Sequence, residues 1–584
     1  MRRLMVLNIL LVLVLVNPVF VSASDLPWAE YGRNAQNTGQ NGYIGPADTS
    51  RTWKAALDYN NKDSFTSPVV DGSGSVYLLD SGWSYVNEQW VIGASLKSIA
   101  RDGSVRWIKP LSGCRDDNGS TSLALGSNGL LYLSCSAGYD YVDGVWMDID
   151  AALYAFEAGT GALRWELPLG RHYTQAIGNL TIDSGNNLYF VSALYIDNNW
   201  QGNHYLTAVS ETGAVLWTSS LGAGRQWDFA GPAMSSDGKT VYIYRLTEYN
   251  EGILNAVSAE TGEKVWELPL EWGGTGWQTF TSFAVANDGT IWLASYVKYG
   301  DDSCYGRAEN LIGISPNGHI RRKFPLHGDL DCGSHISIGP SGTIYVTYDD
   351  VRSYWDGTRR YYWLEYNYGQ PPWDWFVGPG WYSWDGGFIY IDGPPKKGGI
   401  AAYDTVKGFK WKFELPDSFE ANAKPAIDAK ENIYFAASFG ERLYSLNRDG
   451  KVNWVFDIAP GVEPTHGSCG WFCAEDEFTY GAAPVIGLGG SIHVMGSKYL
   501  YTIEGGPTIQ TVTAMVEGFV SQGVLNTGDS NSLLSKLDQA ENAATAQARA
   551  NVLQAAINQI NALERSGRLT SAKAEEMRSI LRQL

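Results

Sequence analysis

The chain has 584 residues and a formal net charge of −19, with 62 acidic against 43 basic side chains. This length excludes a single small core and requires one large repeat domain or several domains. The acidic balance disfavours nucleic acid and anionic membranes as partners, because both repel a negatively charged surface.

The first 23 residues have the pattern of a secretory signal peptide. Arg2 and Arg3 precede an apolar run over residues 4–16, and Val21-Ser22-Ala23 supplies the small residues of a cleavage site. The run is too short for a transmembrane anchor. We therefore expect an exported protein, periplasmic or extracellular, that begins near residue 24.

Six cysteines follow this leader, and an oxidising compartment favours disulfides between them. Six cysteines allow 15 pairings in total. Proximity along the chain favours three local bonds: Cys114–Cys135, Cys304–Cys332 and Cys469–Cys473.

Two sequence motifs recur along the chain, and we call them the first and the second phrase. The first is an apolar strand with a central aromatic residue or histidine, as in SVYLL (75–79) and TVYIY (240–244). Its eight copies have their central ring at Tyr77, Tyr132, Tyr189, Tyr242, Trp292, Tyr345, Tyr434 and His493. The second phrase is a strand, a glycine turn and a tryptophan strand, as in AVSAETGEKVWELPL (256–270). Glycine suits these hairpin turns because it adopts positive φ freely.

The second phrase has seven complete copies, and an eighth, KYLYTIEGG (498–506), stops before its tryptophan strand. An unpaired tryptophan strand, RTWKAAL (51–57), stands near the front of the chain. Joined, the two ends make one more sheet. The fold class predicted is mainly β: an eight-bladed β-propeller over residues 24–510, closed by an N-terminal strand. Alternation such as VRWIK further predicts that outer strands are buried on both faces.

The interval between the sixth and seventh copies is long because of an insertion at 348–398. Long excursions from a regular repeat are often functional. Flat aromatic faces suit a glycan or a protein partner, whereas the alternative is a subdomain whose rings pack on each other. The candidate ligand-binding residues are Trp355, Tyr361, Trp363, Trp373, Trp375, Trp381 and Trp384. The tryptophans of the repeat, at 107, 165, 217, 266, 411 and 454, are interpreted as blade packing.

A second cluster, HGSCGWFCAEDEF (466–478), combines His466, Cys469, Cys473 and Asp476. A metal site is one interpretation, but the spacing lacks a second ligand pair and the exported context favours a disulfide. The metal assignment therefore stays unknown.

From residue 511 the composition changes to Ala, Gln, Asn and Leu, without Trp, Tyr or Pro. Apolar residues at helical spacing predict four helices over 511–584, with Gly567 as a stop and Thr570 or Ser571 as a cap. GVLNTGDSNSLLSKLDQAENA (523–543) and residues 558–581 resemble the FIMAH domain, a small helical module of exported microbial proteins.

The eight copies, together with WAEYGRNAQNTG (28–39), resemble the PQQ-like, quinoprotein-type propeller repeat. That resemblance implies the fold well and the activity poorly, because such propellers include quinone-dependent dehydrogenases and cofactor-free scaffolds. Enzymes of that type use PQQ with Ca²⁺, a catalytic Asp and often two adjacent cysteines. No two cysteines are adjacent here and no catalytic residue can be assigned. We expect a non-catalytic scaffold that binds a protein or a glycan, with a Ca²⁺/PQQ-dependent alcohol or sugar dehydrogenase as the alternative.

Overall fold

The fold is described from a computed structural model. The described residues are 26–58, 66–86, 89–111, 114, 121–135, 138–142, 145–170, 174–195, 201–225, 229–247, 251–270, 282–298, 306–326, 335–348, 380–384, 387–391, 398–416, 421, 423–437, 442–458, 483–496, 498–505, 509–521, 524–582 and 584.

Eight four-stranded antiparallel sheets form the blades of a propeller. From the inner to the outer strand, the blades are as follows: blade 1, Val69–Val70, Val76–Val86, Gln89–Ile99 and Val105–Leu111; blade 2, Ser122–Leu125, Leu130–Cys135, Ala151–Glu157 and Leu163–Gly170; blade 3, Thr174–Ile182, Leu188–Tyr195, Gln201–Val209 and Val215–Arg225; blade 4, Phe229–Met234, Thr240–Leu246, Gly252–Ser258 and Lys264–Leu270; blade 5, Ala284–Val285, Ile291–Lys298, Gly306–Ile314 and Ile320–Pro325; blade 6, Ile336–Ile338, Ile344–Tyr348, Gly399–Asp404 and Gly408–Glu414; blade 7, Ala426–Ile427, Ile433–Ala437, Arg442–Leu446 and Val452–Asp457; blade 8, Val485–Ile486, Ile492–Met495, Tyr499–Ile503 and Thr52–Ala56.

Blade 8 confirms the predicted closure. Its outer strand, Thr52–Ala56, pairs antiparallel with Tyr499–Ile503 from the far end of the repeat. Just beyond this strand, Asp58 and the buried Asp80 both pair with the ammonium of Lys97, at 2.9 and 2.7 Å. The closing strand is thus tied to blade 8 by its backbone and to blade 1 by charge.

Two further hairpins form separate two-stranded sheets, inserted between the second and third strands of their blades. One consists of Gly138–Val142 and Val145–Ile149 in blade 2, and the other of Gly380–Trp384 and Gly387–Ile391 in blade 6. In every blade the turns between the first and second strands and between the third and fourth strands lie on one face, because antiparallel strands alternate in direction. We call this the turn face. The connections between the second and third strands, and those between blades, start and end on the opposite face, called the loop face.

At seven of the eight blade interfaces, an aromatic ring of one blade packs against the next blade. The ring on an outer strand packs against the glycine of the next blade's last hairpin turn, where a Cβ would lie 2.6–2.9 Å from ring carbons. These glycines also have positive φ, for example 73° at Gly262. The pairs are Trp53–Gly103, Trp107–Gly161, Trp165–Gly213, Trp217–Gly262, Trp266–Gly318, Phe324–Gly408 and Trp411–Gly450. The recurring glycine therefore serves both the turn and the neighbouring ring.

Most of these tryptophans also donate a hydrogen bond across the same interface. Their Nε1 groups donate to backbone oxygens at 2.8–3.1 Å, in the pairs Trp107–Ala158, Trp165–Glu211, Trp217–Ala259, Trp266–Pro316 and Trp411–Arg448. Trp454 donates instead to Pro46 of the N-terminal segment, at 2.9 Å. Within each blade the outer ring contacts the central ring of the first phrase, as Tyr242 does with Trp266 at a centroid distance of 5.9 Å. The interpretation of the repeated tryptophans as packing residues is confirmed.

The predicted burial of both faces of the outer strands is wrong. Val105 and Ile108, which flank Trp107, are 49% and 47% exposed. Similar apolar exposure recurs on other outer strands, at Leu163, Val215 and Val452. Because blades radiate from an axis, their outer strands lie further apart than their inner strands, so only the tryptophan bridges the gap.

Four helices follow blade 8: α1 (Ile509–Ser521), α2 (Thr527–Glu541), α3 (Ala546–Arg565) and α4 (Ser571–Leu581). They share an apolar core that includes Val512, Leu537, Ile560 and Met577. Thr570 caps α4 as predicted, accepting a hydrogen bond from the Lys573 N–H. Helix α1 contacts the short 3₁₀ turn Leu488–Gly490 on the turn face of blade 8. None of the described helices is long and apolar enough to cross a membrane.

The ring-to-glycine contact predicts a position-specific cost. Trp165→Ala is expected to lower the free energy of unfolding by about 3 kcal/mol, because it removes the ring from Gly213 and the hydrogen bond to Glu211. The matched control is Leu163→Ala on the same strand, which is 46% exposed and should cost under about 1 kcal/mol. Urea unfolding measures both variants. Equal losses would contradict the fastening role.

Candidate functional site

The N-terminal segment, residues 28–41, forms a circle inside the propeller. It makes a hydrogen bond to the last residue of every inner strand. Backbone oxygens of Ala29, Ala35, Gln36, Thr38 and Gly39 accept from the N–H groups of Leu125, Met234, Val285, Ile338 and Ile427, at 2.6–2.9 Å. Trp28 exchanges two backbone bonds with Val70. We call this circle the hub segment.

Side chains complete the circle at the two remaining blades. The Glu30 carboxylate accepts from the Ile182 N–H of blade 3 at 3.1 Å, and the Asn41 side-chain amide donates to the Ile486 oxygen of blade 8 at 3.0 Å. Gly39 has φ 67°, and a Cβ there would lie 2.4 Å from Ser337 Oγ. The close approach of this backbone to blades 6 and 7 therefore requires glycine.

The hub segment closes the channel near the turn face. The residues it bonds are the final residues of inner strands, which run from the loop face to the turn face. Residues just before these strands lie on its loop-face side, among them Ser282, His335 and Lys424. Together with Tyr31 and Arg33 of the hub segment they form a polar group that we call the channel floor.

Tyr31 is at the centre of the channel floor. Its hydroxyl is 2.8 Å from Nδ1 of His335, and the Lys424 ammonium is 5.6 Å from its ring centroid. Lys424 also donates to the Ile336 oxygen at 2.5 Å. Its stem packs on Gly32, where a Cβ would lie 2.9 Å from Lys424 Cε. Tyr31, Arg33 and His335 are partly exposed, whereas Lys424 is only 2% exposed.

Burial dominates the electrostatics of the channel floor. It lowers the pKa of Lys424 to about 7 and raises the pKa of the Tyr31 hydroxyl. Glu30 is also buried, and desolvation raises its pKa well above the usual value, although its hydrogen bonds and Arg33 act in the opposite direction. The floor thus combines basic groups with a carboxyl group that resists ionisation.

No sequence motif indicates this group of residues. Residues 28–39 contribute to the resemblance to the propeller repeat, but the sequence does not predict that they encircle the channel. Lys424 stands in ANAKPAI (421–427), which shows no repeat signal of its own. Ser282 and Lys424 stand two residues before an inner strand and His335 stands one residue before, a position that has meaning only once the ring is closed.

The predicted aromatic site lies mostly outside the described residues. Trp355, Tyr361, Trp363, Trp373 and Trp375 all do so. Trp381 and Trp384 are on the strand Gly380–Trp384 of the blade 6 hairpin, where Trp381 is opposite Tyr390. At its base, Tyr348 and Gly399 are paired residues at the loop-face end of blade 6. The insertion therefore begins and ends at one point of the loop face.

One of the three predicted disulfides is confirmed. Cys114, in the connection from blade 1 to blade 2, is bonded to Cys135 at the end of the second strand of blade 2. Cys304, Cys332, Cys469 and Cys473 lie outside the described residues, as does the whole cluster 466–478.

The described residues do not fit a Ca²⁺-bound quinone. Within the described ranges, no group of three or more His, Cys, Asp or Glu is arranged to hold a metal ion. Arg33, His335 and Lys424 of the channel floor offer hydrogen-bond donors and positive charge, whereas Ca²⁺ requires several oxygen ligands. We therefore derive no catalytic step through this cofactor.

Comparisons with known proteins agree with the architecture. Residues 93–271 and 202–296 match the PQQ_2 family model, described as outer membrane protein assembly factor BamB. These overlapping ranges run from the third strand of blade 1 into blade 5, and this part of the chain is similar to that family. No curated protein sequence matches the chain.

Among solved structures, the chain is similar to quinohemoprotein alcohol dehydrogenase from Comamonas testosteroni, with 14% identity, a TM-score of 0.51 and coverage of 86% of each chain. It is also similar to a europium-containing methanol dehydrogenase, with 11% identity, a TM-score of 0.50, and coverage of 81% of this chain and 90% of that one. At these identities the likeness shows the fold alone, a PQQ-dehydrogenase-like propeller.

The lowered pKa of Lys424 predicts a pH dependence of stability. The pKa of Lys424 is about 7 in the folded state and 10.5 in the unfolded chain. At pH values between these two, Lys424 binds a proton in the unfolded chain that it does not bind in the folded state. Lys424 therefore makes the free energy of unfolding rise with pH, by at most about 1.4 kcal/mol per pH unit, and its destabilising effect is fully present below pH 7.

Lys424→Met should abolish this contribution. Thermal midpoints are measured at pH 7, 8 and 9 in an amine buffer, for wild type, Lys424→Met and the exposed control Lys430→Met. The wild type and the control should gain stability relative to Lys424→Met as the pH rises. Parallel curves for all three proteins would contradict the lowered pKa.

Proposed function

We propose that this protein is a non-catalytic, exported binding scaffold that recognises a protein or a glycan through the loop face and the insertion 348–398. The main supporting observation is the position of the insertion. Its described ends, Tyr348 and Gly399, are paired neighbours in blade 6, so the excursion leaves the ring without disturbing the blade. Binding residues are often held on loops above a rigid framework in this way.

The ring supplies the rigidity that such a surface needs. The hub segment bonds all eight blades and the outer rings fasten neighbouring blades, so the strand ends that carry the loops are fixed relative to one another. A preordered surface loses less conformational entropy on binding, which increases affinity for a given contact area.

Trp381 and Trp384 favour a flat or sugar-like ligand surface, because tryptophan presents a large aromatic face with a polar N–H. The match to the assembly factor family supports a protein partner in the cell envelope as one form of this role. The Cys114–Cys135 bond supports an oxidising compartment, in agreement with the predicted leader at 1–23. The resemblance of 511–584 to FIMAH is retained as part of the proposal, and the four helices are compatible with it.

Replacing the insertion tests the binding role. Residues 349–398 are exchanged for Asn-Gly, which joins the directly opposed Tyr348 and Gly399 by a two-residue hairpin turn. The propeller should stay folded, with an unchanged thermal midpoint, and should lose binding on a glycan array and in pull-downs from envelope extracts. A second variant replaces only Trp381 and Trp384 by Ala, and it should weaken the same interaction. Loss of folding in the hairpin variant would indicate that the insertion packs as a structural subdomain.

The dehydrogenase alternative has a direct test. The mature chain is incubated with PQQ and Ca²⁺, desalted, and examined by absorption spectroscopy and thermal melting. The scaffold proposal predicts that no stoichiometric quinone is retained after desalting. Retained quinone with a raised midpoint would favour the enzyme, because a ligand that binds only the folded state stabilises it.

A further inference from the structure

The channel floor brings basic side chains together in a strongly acidic protein. The chain has a formal net charge of −19, yet the Lys424 ammonium lies over the Tyr31 ring, His335 bonds to the Tyr31 hydroxyl, and Arg33 is two residues further along the hub segment. Gly32 between Tyr31 and Arg33 leaves the space that the Lys424 stem fills. The grouping is therefore built by close packing of the hub segment on blades 6 and 7.

Lys424 has no acidic partner within the described part of the chain. Its ammonium is held by the Ile336 carbonyl oxygen and lies over the Tyr31 ring. Burial is the one cause that changes its pKa, and no carboxylate contributes. A buried cation without a counter-charge is costly, since desolvation of the charge is not offset by an opposite charge.

Glu30, the residue before Tyr31, bonds to blade 3 and interacts electrostatically with Arg33. Glu30 accepts the Ile182 N–H at 3.1 Å on the blade 3 side, and burial raises its pKa well above the usual range. The other buried lysine described in a blade provides a contrast. Lys97 is paired with Asp58 and Asp80, at 2.9 and 2.7 Å. The same propeller thus supplies carboxylates to one buried lysine and none to the other.

The hub segment bonds to the turn-face ends of the inner strands, so the proposed direction of approach for a ligand is from the loop face. The Tyr31, Arg33 and His335 side chains are partly exposed. They present a hydroxyl, a guanidinium and an imidazole, all of which donate hydrogen bonds to oxyanions. Lys424 is buried in the low-dielectric interior, where the attraction between its ammonium and a bound anion is stronger than in water.

We propose that the channel floor is a binding site for a small oxyanion, of the carboxylate or phosphate class. The anion enters from the loop face, contacts Tyr31, Arg33 and His335, and supplies the counter-charge for Lys424. The site does not depend on the proposed recognition by the insertion. It adds a small-molecule ligand to a propeller whose larger partner binds at the rim.

The test uses two probes, citrate and inorganic phosphate, titrated into the full chain by calorimetry at constant ionic strength. Either anion should bind and raise the thermal midpoint, whereas sodium chloride at equal ionic strength should not. Lys424→Met keeps the stem and removes the charge, and it should weaken binding at least 10-fold. The exposed Lys430→Met, in the same blade, should bind as wild type does.

His335→Gln is the second variant. It changes a partly exposed side chain, so its result does not depend on whether the buried position 424 accepts Met without loss of stability. It should weaken binding several-fold with an unchanged midpoint in the absence of anion. Binding to citrate alone or phosphate alone identifies the ligand class and supports the site, provided that both variants weaken it. Absence of binding to either probe, or equal affinity in wild type and both variants, overturns the proposal. The insertion-replaced chain should retain anion binding, which separates this site from the rim function.

Discussion

The hydrogen bonds between the hub segment and the eight inner strands are the constraint on which this structure depends. The last N–H groups of the inner strands point towards the axis, away from their own blades, and a buried N–H without a partner costs about 1–3 kcal/mol. The hub segment supplies an acceptor to seven of these groups, through Trp28, Ala29, Glu30, Ala35, Gln36, Thr38 and Gly39. One short stretch of chain therefore joins eight blades that are far apart in sequence and closes one end of the channel.

This arrangement gives the two faces of the propeller different roles. On the turn face lie the tight hairpin turns, the hub segment and the contact between α1 and Leu488–Gly490. Structural interactions are thus concentrated there. The loop face carries the connections between blades and the base of the insertion at Tyr348 and Gly399, and the channel floor lies on the loop-face side of the hub segment. Both proposed interactions use the loop face, one at the rim and one at the axis.

The structural features that recur from blade to blade were predicted from the sequence, whereas the contacts that occur only once were not. The spacing of Tyr242 and Trp266 recurs in other blades, so the blade count, the closing strand Thr52–Ala56 and the packing role of the tryptophans could be read directly. The Cys114–Cys135 bond followed from proximity. The exposure of Val105 could not be read, because it depends on the radial spread of the blades. The meeting of Tyr31 with Lys424 depends on ring closure across almost 400 residues, and no local period signals it.

Hydrogen exchange at the inner strands measures the hub interaction directly. Peptic fragments covering Leu125, Met234, Val285, Ile338 and Ile427 are followed by mass spectrometry, with fragments covering the central strand Thr240–Leu246 as the reference for global opening. If the hub segment joins the blades into one cooperative unit, the inner-strand amides exchange as slowly as the reference. They also lose protection together in a chain that lacks residues 26–46. Fast exchange in the intact chain, or protection that survives this deletion, would contradict the hub as the element that holds the ring together.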